Sequence, residues 1–127
     1  MTIHYGDIMD GINVDGQLFG GDRKGALNPP DGLPMKIILG TDEKILSIEY
    51  SRPQHSYWNK YCICKFTIFT NEKMYGPYAG DSLHCKPGII RNDIPSGMSF
   101  RQFLQLYSST YKPHPGDTYE MITLRVP

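Results

Sequence analysis

Two segments near the start of the chain carry the residues best suited to chemistry. The first is Gly6-Asp7-Ile8-Met9-Asp10. The second, after Gly11-Ile12-Asn13-Val14-Asp15-Gly16, is Phe19-Gly20-Gly21. They read as a tight loop ending in a carboxylate, a strand, and a second loop rich in glycine. A carboxylate accepts hydrogen bonds from paired sugar hydroxyls, and free loop N–H groups donate to their oxygens. Glycine lets the backbone approach a ligand that closely. Two such loops flanking Asp10 would make a hydroxyl-binding clamp. The competing reading of Asp10 is a turn or strand-start residue that satisfies local backbone N–H groups. For Gly20-Gly21 it is an ordinary hairpin turn, and turn and ligand wall are compatible.

The elements that would position this clamp are short strands. Strand-like alternation recurs over residues 35–39, 45–50, 61–70, 100–107 and 121–126. Turn signals separate them: Asn28-Pro29-Pro30-Asp31-Gly32, Gly40-Thr41-Asp42, Tyr75-Gly76-Pro77, Pro95-Ser96-Gly97 and His114-Pro115-Gly116-Asp117. With 13 Gly, 10 Pro and 9 Tyr, and no long stretch of helical periodicity, the chain reads as all-β. Its 127 residues form a single domain, 1–127, with no linker inside it.

Composition narrows the function classes. Thirteen basic and 13 acidic residues cancel, which argues against an electrostatically driven nucleic-acid or membrane partner. No apolar stretch approaches 18 residues, so no membrane span is expected. The opening Met1-Thr2-Ile3-His4-Tyr5-Gly6 lacks the basic and apolar regions of a signal peptide, which leaves a cytoplasmic chain or a processed secreted one. His4, His55, His84 and His114 show no metal-ligand spacing, and neither metal nor cofactor is expected. No nucleophile–base constellation or phosphate loop is present, so no catalysis is expected. Trp58, beside Tyr57 and His55 in a polar loop, packs in the core or stacks on a sugar. Cys62, Cys64 and Cys85 are read as free thiols, or as one bridge from Cys85 to Cys62 or Cys64. Alternation would put Cys62 and Cys64 on one face.

A weak internal repeat runs through the chain. Gly6-x-x-x-Asp10 leads into Gly11-Ile12-Asn13-Val14, Lys60-x-x-x-Cys64 into Lys65-Phe66-Thr67-Ile68, and Gly116-x-x-x-Glu120 into Met121-Ile122-Thr123-Leu124. Upstream, Ile45-Leu46-Ser47-Ile48-Glu49-Tyr50 is echoed by Phe103-Leu104-Gln105-Leu106-Tyr107. Three similar units imply a pseudo-threefold body around a shared core.

At this point the chain resembles the jacalin-related lectins. The Gly6–Asp10 loop, Asp15-Gly16 and Phe19-Gly20-Gly21 match that family's binding loop and glycine loop in order and spacing. Phe69-Thr70-Asn71-Glu72-Lys73-Met74-Tyr75-Gly76-Pro77-Tyr78 is similar to its "TN…YGP[FY]" segment. The resemblance implies a β-prism of three Greek-key sheets with pseudo-threefold symmetry. It implies a carbohydrate-binding protein for a mannose- or galactose-type monosaccharide or glycan terminus, with glycans or glycoproteins as partners. Gly6, Ile8, Met9 and Asp10 would form the binding loop, and Gly20, Gly21 and the Asp22–Lys24 stretch, Lys24 included, the opposite wall. Gly116, Tyr119 and Glu120 would form a second site whose acid is one methylene longer. In the middle unit Lys60 and Cys64 take the Gly and Asp slots, so that site is expected to be dead. The chain is expected to lack the family's first strands, leaving an edge that either a homo-oligomer or, in a shortened prism, the Tyr107–Gly116 segment would cover. The alternative is a β-prism acting as a protein-interaction or structural module, its sugar sites decayed.

Overall fold

The structure, a computed structural model, describes residues 1–22, 34–55, 59–80, 85, 88–117 and 119–126. The expected turn at 28–32 and the expectations for Lys24, Trp58 and His84 lie outside these residues. Twelve described strands and one short helix follow in order: β1 (Thr2–Tyr5), β2 (Met9–Val14), β3 (Gln17–Gly20), β4 (Met35–Lys36), β5 (Ile45–Ser51), β6 (Gln54–His55), β7 (Lys60–Tyr61), β8 (Cys64–Thr70), β9 (Met74–Tyr78), β10 (Ile90–Asp93), α1 (Phe100–Tyr107), β11 (Ser108–Tyr111) and β12 (Met121–Leu124). The chain is predominantly β. Its strands form two four-stranded sheets, ordered β3-β2-β1-β4 and β10-β5-β8-β9, and two strand pairs, β11-β12 and β6-β7. Every pairing is antiparallel.

Each repeat segment leads into the second strand of an antiparallel pair: β2 on β1, β8 on β5, β12 on β11. The register partners at the segment ends are Tyr5↔Met9, Ser51↔Cys64 and Tyr111↔Met121. Inward-facing apolar side chains of all three pairs meet in one core that includes Ile3, Ile12, Ile48, Phe66, Ile68, Ile122 and Leu124.

Three expectations are corrected. The segment 100–107 is a helix and not a strand. Ser99 caps it by accepting from the Gln102 amide, and Gln102 Oε1 accepts from the Ser99 amide, a reciprocal capping box. Phe100, Phe103 and Leu104 bury one stripe, and Tyr107 meets Phe103 at 5.0 Å between ring centroids. The spacing i, i+3, i+4, i+7 is that of a helix face. The expected strand echo at 103–107 therefore falls on the helix, and the strand that pairs with β12, Ser108–Tyr111, begins just past it. Second, the 35–39 strand shortens to Met35–Lys36. Third, Tyr75-Gly76-Pro77 lies inside β9, where the ladder shifts register opposite Phe66 and Ile68. Gly76 has φ +106°, and a side chain there would press on the Phe66 carbonyl.

The cysteines resolve into one bridge and one thiol. Cys64 and Cys85 form a disulfide with Cα atoms 6.1 Å apart, and Cys62 is free and buried. The two neighbours do not share a face. Cys64 packs in the main core, whereas Cys62 joins Ile8 and Met121 in a separate cluster. Residues 62–63 interrupt the strand, and alternation does not carry across the break.

Candidate functional site

The Gly6–Asp10 segment turns β1 back into β2, with the Gly6 amide donating to the Ile8 carbonyl at 3.0 Å. Asp7 is exposed at the tip. Ile8 and Met9 point inward, and Asp10 is 2% exposed. Gly20 ends β3, and Gly21 follows it, directly behind Asp10. The Gly21 amide donates to the Asp10 carbonyl at 2.9 Å, the Gly20 amide to Thr110 Oγ1 at 3.1 Å, and the Met9 amide to the Ile63 carbonyl at 2.8 Å. The backbone donors of Gly6, Met9, Gly20 and Gly21 are thus engaged within the protein.

Packing accounts for the two glycines. Gly20 has φ +82°, and a Cβ on it would meet the Asp10 carbonyl and Ile122. A Cβ on Gly21 would run into the Glu120 carbonyl. Glycine permits the close approach, here to a neighbouring strand of the same chain.

The same contact brings the two sets of candidate residues together. Glu120 lies against Gly21, and Tyr119 packs on the cluster of Ile8, Cys62 and Met121 with Tyr111. The first set and the Tyr119–Glu120 part of the second therefore share one end of the molecule. Gly116 sits apart in the exposed turn His114–Asp117, which closes by an Asp117 amide to His114 carbonyl bond of 3.1 Å.

This end offers side chains to solvent. Asp7 and Glu120 are exposed carboxylates, and Tyr61 is 47% exposed. The Arg52 guanidinium stacks 4.2 Å from the Tyr61 ring centroid, and Lys60 Nζ lies 5.6 Å from that of Tyr111. These are cation–π distances. Burial, then Cys62 and Asp10 nearby, hold the Tyr111 hydroxyl well above its ordinary range. Burial pushes the Cys62 thiol up to about 11, so it stays protonated and unreactive at neutral pH. Arg52, Lys60, Tyr61 and Tyr111 were missed by sequence reasoning. Lys60 was read only as a lost glycine, and nothing in the sequence places it over a ring 51 positions later.

The middle unit has no carboxylate site: Cys64 is fully buried and bridged. The Thr70-Asn71…Tyr75 segment, which carried much of the resemblance, anchors a neighbouring loop. Glu43 Oε2 accepts from Thr70 Oγ1 at 2.7 Å and from the Tyr75 hydroxyl at 2.8 Å, and Oε1 accepts from the Gly40 amide at 3.0 Å. Asn71 Oδ1 accepts from the Lys44 amide at 2.7 Å. The Thr70 bond first, then the Gly40 amide, hold Glu43 below its ordinary 4.5. Among the described residues no group of three or more His, Cys, Asp or Glu could hold a metal ion, and no helix is long and apolar enough to cross a membrane.

Compared with known proteins, the chain matches no family model, no curated protein and no solved structure.

Proposed function

We propose that this protein is a non-catalytic carbohydrate-binding module. It would take a mannose- or galactose-type glycan at the end where the Gly6–Asp10 turn, Gly20-Gly21 and Tyr119-Glu120 converge. That convergence carries the reading: three chain segments singled out for sugar chemistry pack against one another, with Asp7 and Glu120 exposed beside the contact. The ligand would be held by side chains. The Asp7 and Glu120 carboxylates accept from hydroxyls, and tyrosine rings present their faces to sugar C–H groups. Asp10 and the glycines form the support behind them. The proposal includes the prism, with β1-β2, β5-β8 and β11-β12 as its three related pairs.

A second reading, an interaction or structural module with decayed sugar sites, is favoured by one observation. Asp10 is 2% exposed and the amides expected to clamp a ligand are used internally. A glycan-array screen separates the two. Binding confined to mannose- or galactose-terminated structures supports the first, and silence across the array supports the second.

A further inference from the structure

A concave surface lies at the opposite end of β2 from Asp10. Val14 and Asp15 sit on its rim, about 13–17 Å from Asp10 at the usual rise of a strand. The cleft holds about 860 Å³, within the range of small-molecule sites. Four stretches of chain build it: the end of β2, residues 37–39, the start of β5, and the turn at 94–99 that leads into α1. Ile37 and Phe100 are buried at its floor, 3% and 7% exposed.

Its walls present apolar groups to water. Ile38 is 89% exposed and Leu46 51%. Leu46 turns out to solvent at the irregularity between Ile45 and Ser47, where the ladder of β5 with β8 shifts register. Scattered exposed aliphatics are ordinary, but these two line one concavity together with Ile94 and Met98. Covering them removes apolar surface from water, which favours binding of an apolar body.

The rim supplies the charge preference. Lys44 stands on one wall and Arg101, in the first turn of α1, on another. Both are exposed, and neither side chain makes an ion pair or hydrogen bond to a described residue. Asp15 is the only acidic residue lining the cleft among the described residues. Two cations against one anion over an apolar hollow favour a ligand with an apolar body and an acidic head.

We propose that this cleft binds a small amphipathic anion, its alkyl or aromatic body against Ile38, Leu46 and Met98 and its head between Lys44 and Arg101. The site is separate from the sugar-binding surface and stands whether or not that reading holds. Dodecanoate, dodecylamine and dodecanol, each below its aggregation concentration, are the probes for calorimetric titration and methyl NMR mapping. Saturable one-to-one binding of dodecanoate is expected, with shifts confined to Ile38, Leu46 and Met98 methyls. The amine is expected to bind at least tenfold more weakly. Leu46→Asp abolishes binding. The exposed double variant Lys44→Glu, Arg101→Glu weakens it at least tenfold at unchanged Tm, which keeps the test clear of folding defects. Absence of saturable binding, equal binding of amine and carboxylate, or an unaffected double variant overturns the proposal. So does a concentration-dependent dimer that buries these methyls and that dodecanoate does not dissociate, because the cleft would then be a self-interface.

Discussion

At the residue scale, one position answers to two demands. Asp10 was singled out as a ligand carboxylate, and the fold buries it against the end of β3. Asp10→Ala is therefore expected to lower stability by about 0.5–3 kcal/mol, since it truncates a side chain packed at a 2% exposed position. Chemical denaturation measures this, and an unchanged midpoint would place Asp10 outside the packed support. Gly21→Ala behaves in the same direction. Its added methyl meets the Glu120 carbonyl, and overpacking of this kind costs about 1–3 kcal/mol. A stable Gly21→Ala variant would contradict the close approach of β3 to the start of β12. The glycines were legible as a place of close backbone approach. What approaches them was not, because glycine serves a ligand and a neighbouring strand equally well.

At the scale of elements, the helix and the Glu43 loop hold the lessons. Phe100-Arg101-Gln102-Phe103-Leu104-Gln105-Leu106-Tyr107 places apolar residues at both strand and helix spacings, and over eight residues periodicity alone does not arbitrate. The deciding signal lay one residue upstream, in Ser99 followed three positions later by Gln102. Ser99→Ala is expected to cost about 1 kcal/mol of stability, read from denaturant unfolding. Leu104→Ala, fully buried, should cost about 2–5 kcal/mol. Most longer strands were legible from alternation: β5, β8 and β12 fall where it placed them. The Thr70–Tyr75 segment was legible as a feature but not in its role, because its partner Glu43 lies 27 positions before Thr70. The folded value of Glu43 is depressed, so below pH 4.5 the unfolded chain takes up its proton more readily. Its contribution is complete above pH 4.5 and is lost as pH falls through the folded value. Burial likewise lowers His4 from 6.5, so its contribution is complete above pH 6.5 and declines as pH falls below it. Thermal melts across pH 3–7 should show both losses, and Glu43→Gln should remove the lower one. An unchanged pH profile in Glu43→Gln would contradict this account of the loop.

For the whole molecule, the three antiparallel pairs share one core, and the Cys64–Cys85 bridge ties β8 to the chain 21 residues on. Loop closure of that length is worth about 3 kcal/mol. Reduction should lower Tm, and thiol titration of the unreduced protein should find one thiol, Cys62, reactive only after unfolding. The pairing of Cys85 was open in the sequence because the break at residues 62–63 that separates the faces of Cys62 and Cys64 leaves no compositional mark. Oligomerisation through uncovered edges belongs with the sugar-binding proposal, where paired copies would raise avidity for a multivalent glycan; sedimentation equilibrium over a dilution series checks it, and a monomer throughout would contradict it. The central claim rests on the surface shared by the Gly6–Asp10 turn and Tyr119-Glu120. Its most direct test is calorimetric titration of the strongest glycan-array ligand into the wild type and the exposed double variant Asp7→Asn, Glu120→Gln. The account predicts saturable binding by the wild type and at least a tenfold loss in the variant at unchanged Tm. A wild type that binds no glycan, or a variant that binds as well as the wild type, would contradict it.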